Sequence, residues 1–430
     1  MIDKFKKIDH FHKNVLIVFA GTSLLNFFNL LYQLLIAHRL SAVDFAAFNT
    51  LLSIFTVFSA PLSTIQTAVT KFASEFNAKG QIKKTAGLLS GLLKRFSFFA
   101  LFTFLISCFV LFYAINTLKI PSPASAYILA TLLASAWVIP LFKGGVQGLE
   151  LFLPFSAGMV LTGALKLMLG FIYISMGYGI TGAIAAILVS ESAGLGIYYF
   201  CLKKHIGAAI TAEQGYPDRK GVFLYLLPVA GSYFCFTFLT SFDMVLVKYF
   251  FTSVESGFYS LGQMVGKIFL FLPLAISMVM FPRTSSRRAK NMDTFSILKR
   301  SMLYALFLCA AACLFYNIFP SAVLNVLTGK VYPQTVLLGR FFSVSMSFFT
   351  LSYVLILYFL SLKELHFIKY LVFFTVLQAA AIFVFHHSIY QVQAVLCINS
   401  VLLFSSHLWL AYRYRKNAAG SFVKEAAAVV

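Results

Sequence analysis

The segment FSFFALFTFLISCFVLFYAI, residues 96–115, runs twenty positions without a charged side chain. Its apolar residues do not alternate with the period of two that a membrane-barrel strand requires, and its length suits a helix crossing about 30 Å of hydrocarbon. Comparable runs of about 20 to 28 residues recur from one end of the chain to the other. Inside lipid every backbone N–H and C=O must find its partner within the protein, and runs of this kind do so as helices. The reading is an all-α polytopic membrane protein.

Composition points the same way. Of 430 residues, 60% are apolar and 17% aromatic, and only 11% are charged, a balance foreign to ordinary soluble domains. Twelve transmembrane helices are expected, at 14–37, 43–70, 96–115, 124–142, 153–176, 179–202, 222–248, 256–281, 300–319, 333–361, 365–385 and 390–412. The basic stretch before the first span leads into a long apolar run with no small-residue cleavage site, so it reads as a retained helix. Six cysteines, Cys108, Cys201, Cys235, Cys309, Cys313 and Cys397, fall inside apolar runs without metal or redox spacing. They read as small core side chains, and neither a metal nor another cofactor is expected.

The formal net charge of +21 is distributed by loop. One set of connections and ends holds Lys4, Lys6, Lys7, Lys13; Lys79, Lys83, Lys84, Lys94, Arg95; Lys203, Lys204, Arg219, Lys220; Arg283, Arg287, Arg288, Lys290, Lys299, Arg300; and Arg413, Arg415, Lys416. The opposite set offers Arg39, Lys119, Lys248 and Lys330. By the positive-inside rule both termini are cytoplasmic and the number of crossings is even. The excess charge is then a topology signal with some attraction to anionic membrane lipids, about 1 kcal/mol per residue near the surface. No nucleic-acid partner is implied. No outer loop exceeds about 20 residues, which leaves little room for a catalytic domain, so the expectation is a transporter and not an enzyme.

Two segments resemble each other at an offset of about 211 residues: LSAVDFAAFNTLLSIFTVFSAPLSTI (40–65) and FTSVESGFYSLGQMVGKIFLFLPLAI (251–276). Asp44 matches Glu255, Phe48 matches Tyr259, and Pro61 falls within a residue of Pro273. Six expected helices separate the copies, and an even number gives them the same orientation. The expected organisation is two pseudo-symmetric six-helix bundles around a central cavity: an N-terminal lobe at 1–205, a cytoplasmic linker at 206–220, a C-terminal lobe at 221–416 and a tail at 417–430.

An ionisable side chain at the bilayer centre costs about 2.5 to 3.5 kcal/mol, so each one needs a partner, a wet cavity or a task. Lys166 and Glu191 lie level on the fifth and sixth spans, across the tight turn at Gly177 to Gly179. They are read either as a structural ion pair or as groups for proton coupling or substrate contact. Polar residues at helical spacing form stripes: Ser260, Gln263 and Lys267; Arg340, Ser343 and Ser347; Asn26, Asn29 and Gln33; and Ser63, Thr67 and Lys71. Such residues either bond neighbouring helices or line a shared aqueous vestibule, and several stripes together favour the vestibule. Asp243 has Lys248 and, across the lobes, Arg39 as candidate partners. A vestibule lined by Lys267, Arg340, Lys166 and Arg39 would attract phosphate or carboxylate.

The stretch SFDMVLVKYFFTSVESGFYSLGQMVGKIFLFLPLAISMVMFP (241–282) resembles the polysaccharide-biosynthesis flippases, with Asp243, Gly257, Tyr259, Pro273 and Pro282 in the matching places. LIAHRLSAVDFAAFNTLLSI (35–54) resembles the first outer loop of that family, although Ala46 or Ala47 stands for the usual Gly and Ser41-Ala42 for Gly-Pro. The resemblance implies the multidrug/oligosaccharidyl-lipid/polysaccharide exporter fold with alternating access. It further implies a bacterial or archaeal cytoplasmic membrane, a polyprenyl-diphosphate-linked oligosaccharide as substrate, coupling to H+ or Na+, and polysaccharide-assembly proteins as partners. O-antigen, capsule or another exopolysaccharide would be the product served. Three alternatives stand beside it: a multidrug or organic-cation antiporter of the same fold, which would want more carboxylates; a peptidoglycan-precursor flippase, whose branch looks to have fourteen helices; and a membrane enzyme of polysaccharide assembly, against which the short loops count.

Overall fold

A computed structural model describes residues 2–207, 219–271, 274–290 and 292–428. These residues form fifteen helices and no strand. In chain order they are α1 (Ile2–Arg39), α2 (Ala42–Ala78), α3 (Ile82–Thr117), α4 (Pro123–Gly148), α5 (Phe152–Ser175), α6 (Gly179–Gly207), α7 (Arg219–Ser241) and α8 (Asp243–Phe250). There follow α9 (Ser253–Phe271), α10 (Leu274–Ala289), α11 (Phe295–Ile318), α12 (Pro320–Thr328), α13 (Pro333–Leu362), α14 (Phe367–Val384) and α15 (Ile389–Ala428).

Among the described residues ten single helices are long and apolar enough to cross a membrane, and α7 with α8, bent by 41°, brings the count to eleven where the pair is taken as one span. The expected count of twelve is therefore approximate. The expected span 256–281 is not among those counted: residues 272 and 273 lie outside the described residues, and the described parts on either side of them are α9 and α10. The proline of the repeat, Pro273, is one of these two, and most of the expected linker 206–220 also lies outside the described residues. The expected tail, 417–430, continues α15 as helix to Ala428. The outer connection expected between 319 and 333 contains the nine-residue helix α12, which ends on Gly329 in the left-handed conformation at φ 65°.

The chain divides into two compact units, Met1–Ala230 and Gly231–Val430. In the first, α2 packs on α4, α1 on α5, α5 on α6 and α3 on α4. In the second, α13 is the hub and receives α9, α15, α11 and α10. Helices in lipid associate through close packing, which small residues permit. In the first unit Gly144 and Gly148 of α4 face α2 so closely that a Cβ on Gly148 would lie 2.6 Å from the Ala73 Cβ and 2.8 Å from the Thr70 carbonyl oxygen. In the second, Gly262 and Gly266 of α9 face α13, where a Cβ would meet Leu338 at 2.9 Å and the Met346 Cγ at 2.8 Å.

The repeated segments begin helices in the same way. Ser41 caps α2, its Oγ accepting from the Asp44 N–H at 3.1 Å and donating to the Asp44 carboxylate at 2.8 Å. Thr252 caps α9, accepting from the Glu255 N–H at 3.3 Å while its own N–H and hydroxyl donate to the Glu255 carboxylate at 3.0 and 2.7 Å. Both are a hydroxyl and an acid three residues apart, each satisfying the other's orphan groups at a helix start. The aromatic residues matched in the repeat, Phe48 and Tyr259, are both fully buried in their own units.

Candidate functional site

Each unit gathers polar side chains inside its spanning helices. In the first unit α4 continues past Phe142, and its last turn and a half carries Lys143 and Gln147 toward α6 and α2. The Lys143 ammonium lies 3.4 Å from the Glu191 carboxylate of α6, with both side chains about four-fifths covered (22% and 23% exposed). Lys166 of α5 donates to the Asn29 side-chain oxygen Oδ1 on α1. Its ammonium also stands 5.4 Å from the centre of the Tyr32 ring, a cation–π contact. Tyr32 is itself fixed by donating its hydroxyl to the Ala183 carbonyl.

The expected direct bond between Lys166 and Glu191 is thus replaced by two others. Glu191 still acts electrostatically on Lys166, as does Lys143, so the three groups form one array of two cations about a single anion. A second cluster lies beside it on α2 and α4, where the Gln147 side-chain oxygen accepts from the Gln66 amide at 2.9 Å and the Thr70 hydroxyl at 3.3 Å. Lys143, Gln66, Thr70 and Gln147 were not among the residues expected from sequence. The signal was present in the paired glutamines, but ending the fourth span at 142 put Lys143 in a loop.

In the second unit the centre is Asp243, the first residue of α8 at the bend from α7, only 1% exposed. Its carboxylate accepts from the Tyr259 hydroxyl at 2.7 Å and the Gln263 amide at 3.0 Å, both on α9. Lys267, two turns along the same helix from Ser260 and half-buried, acts electrostatically on Asp243. The hydrogen bonds from Tyr259 and Gln263 were not among the contacts expected for Asp243 from sequence. Ser260 is buried beside them and Lys248 is buried in the last turn of α8. The α9 stripe of Ser260, Gln263 and Lys267 is therefore turned into its own unit.

The other stripes are arranged differently. On α13 the Ser343 hydroxyl donates to the Arg340 carbonyl at 2.7 Å and Ser347 to the Ser343 carbonyl at 2.6 Å, both bonds within their own helix. Ser343 also meets Cys313 of α11 at 3.4 Å. That face of α13 looks toward α11, whereas Leu338, Phe342 and Met346 meet the α9 glycines. Arg340 is exposed and lies away from α9, so the second unit does not bring it together with Lys267. In the first unit Asn26, Ser63 and Thr67 are exposed and Gln33 is half-buried. Ser63 donates to its own helix at Ala60 (2.6 Å). Lys71 stands over Phe72 and Arg39 over Phe171, at 5.8 and 5.4 Å from the ring centres. Of the first-unit stripes, the structure joins Asn29 to Lys166.

This architecture defines a multi-pass membrane protein with the fold of multidrug-extrusion and lipid-flipping transporters. It is similar to the inward-facing form of a multidrug resistance MATE family transporter of the MOP superfamily, at 15% identity over 91% of this chain and 96% of the other, with a TM-score of 0.72. The lipid II flippase MurJ, in an inward closed conformation, matches at 13% identity over 92% of this chain and 87% of its own, with a TM-score of 0.68. A MOP superfamily transporter from Pyrococcus furiosus matches at 15% identity over 94% and 95%, with a TM-score of 0.63. At these identities the likeness is one of fold. The sequence matches the polysaccharide biosynthesis protein family over residues 11–288, and the chain belongs to that family. No curated protein matches it.

Proposed function

We propose that this protein is a flippase that carries a polyprenyl-diphosphate-linked oligosaccharide from the cytoplasmic to the outer leaflet of the cytoplasmic membrane by alternating access. The observation that carries the reading is the cationic excess within the first unit: Lys143 and Lys166 about Glu191, all partly covered and all on spanning helices. Cations held inside lipid without equal numbers of acids call for an anionic guest. A diphosphate supplies the charge and the acceptor oxygens for lysine ammonium groups. Family membership supports a sugar chain as the cargo, and O-antigen, capsule or another exopolysaccharide is the product served. Coupling to H+ or Na+ is assigned to the two intramembrane carboxylates, Glu191 and Asp243. Both termini are placed in the cytoplasm by the charge of the loops.

The reading is tested by reconstituting the full chain in liposomes that carry a fluorescent polyprenyl-diphosphate oligosaccharide, and bleaching the outer leaflet with an impermeant reductant. Wild-type protein should expose the inner-leaflet pool. Lys143→Ala, Lys166→Ala and Lys267→Ala should each slow that exposure by at least about tenfold, or ~1.4 kcal/mol in the barrier, while inserting normally. Unaltered bleaching in all three would remove the cations from the mechanism. Exchange of organic cations for protons, with no movement of the lipid, would assign the antiporter activity instead.

A further inference from the structure

Arg340 lies outside both polar clusters, and its surroundings give it a different task. Among the described residues its guanidinium makes no hydrogen bond and no ion pair. It lines an open groove of about 440 Å³ with Ser321, Val331, Pro333, Val336 and Leu337, between the short helix α12 and the start of α13. Apart from Ser321 the lining is apolar, so the groove offers one cation and a greasy wall.

Depth decides what meets it. α13 has 30 residues, about 45 Å of helix, and exceeds the hydrocarbon thickness of about 30 Å, so its ends stand in the headgroup layers. Arg340 is seven residues from the first residue of α13, about 10 Å along the axis, which puts its backbone about 3 Å inside the hydrocarbon and its guanidinium within reach of the lipid phosphates. Exposed aromatic residues flank the outer side of the groove, Phe319 at the start of α12 and Tyr332 before α13, as expected where a protein meets the membrane interface. The exposed side of α13 carries Leu337 one turn before Arg340 and continues below it with Phe341 and Val344, a surface suited to an acyl chain.

We propose that this groove is a binding site for an anionic phospholipid, with its phosphate on the Arg340 guanidinium and one acyl chain along α13. A planar guanidinium pairs two phosphate oxygens at once, which a bare apolar crease cannot do. The site belongs to the second unit alone and does not depend on what the protein transports.

The test is native mass spectrometry of the full chain, purified and offered phosphatidylglycerol and phosphatidylcholine at equal concentration. Wild-type protein should retain phosphatidylglycerol in preference to phosphatidylcholine. Arg340→Gln should lower that retention about tenfold, the loss of one charge-assisted pair. Leu337→Trp, which fills the groove and keeps the guanidinium, should lower it as well. Undiminished retention in either variant, or equal retention of the two lipids, overturns the proposal. Displacement of phosphatidylglycerol from this site by a polyprenyl-diphosphate oligosaccharide at equal concentration would also overturn it and hand the groove to the cargo.

Discussion

The two units place their glycines on opposite partners of corresponding helix pairs. In the first, α4 supplies Gly144 and Gly148 against α2; in the second, α9 supplies Gly262 and Gly266 against α13. Since α2 and α9 begin with the same cap, the close approach has been built from either side of one arrangement. The polar groups differ too. The first unit holds a cation-rich array around Glu191, whereas the second encloses one carboxylate, Asp243, in hydrogen bonds from Tyr259 and Gln263. One scaffold thus carries a charge seeking a counter-ion in one unit and a carboxylate already supplied with donors in the other.

The largest effect that would break this contrast is at Glu191. Glu191→Gln leaves Lys143 and Lys166 facing each other half-buried, and should cost about 3 kcal/mol in stability, read as a lowered midpoint of thermal unfolding in detergent. An unchanged midpoint would show that the two lysines do not depend on the acid. The helix seams come next. Gly148→Ala pushes a methyl group against the backbone of α2 and should cost about 2 kcal/mol, whereas Gly266→Ala meets side-chain atoms alone, the Met346 Cγ at 2.8 Å and the Phe342 Cβ at 3.1 Å, and should cost about 1 kcal/mol. Equal losses in the two would erase the distinction between a rigid seam and an adaptable one.

Smaller effects sharpen the comparison. Gln263→Leu removes one donor from the buried Asp243 and should lower stability by about 1 to 2 kcal/mol; the same loss in an Asp243→Asn background would mean the carboxylate is not what Gln263 serves. Ser41→Ala and Thr252→Ala should each cost about 1 kcal/mol. Their near equality in the same unfolding assay is the energetic signature of the shared cap.

The cap was legible in the sequence because its chemistry is local. A hydroxyl and an acid three residues apart need no knowledge of the rest of the fold, and the match of Asp44 with Glu255 at the 211-residue offset reports that motif directly. The all-helical class and the spans were legible for a similar reason, since lipid leaves a single long apolar run few choices. Helix rotation was not. Whether Arg340 shares a side with Lys267 depends on which face of α13 meets α9, and that is set by glycines on another helix. Sequence proximity also favoured Lys166 with Glu191 across one hairpin, while the structure bonds Lys166 to α1, the first helix of the chain. At Lys143 the error was one of length: Pro140 and Lys143 look like the end of a span, yet α4 carries through both to Gly148.

Two lysines and one glutamate, counted as ionised, leave the array of Lys143, Lys166 and Glu191 with one uncompensated positive charge. A charge moved through the full membrane field gains or loses about 2.3 kcal/mol for every 100 mV. Any conformational step that shifts this array along the bilayer normal is therefore sensitive to voltage. A bound anion carrying two negative charges, as a diphosphate does, would reverse the sign of that sensitivity, so empty and loaded protein would be pushed in opposite directions by the same electrical gradient.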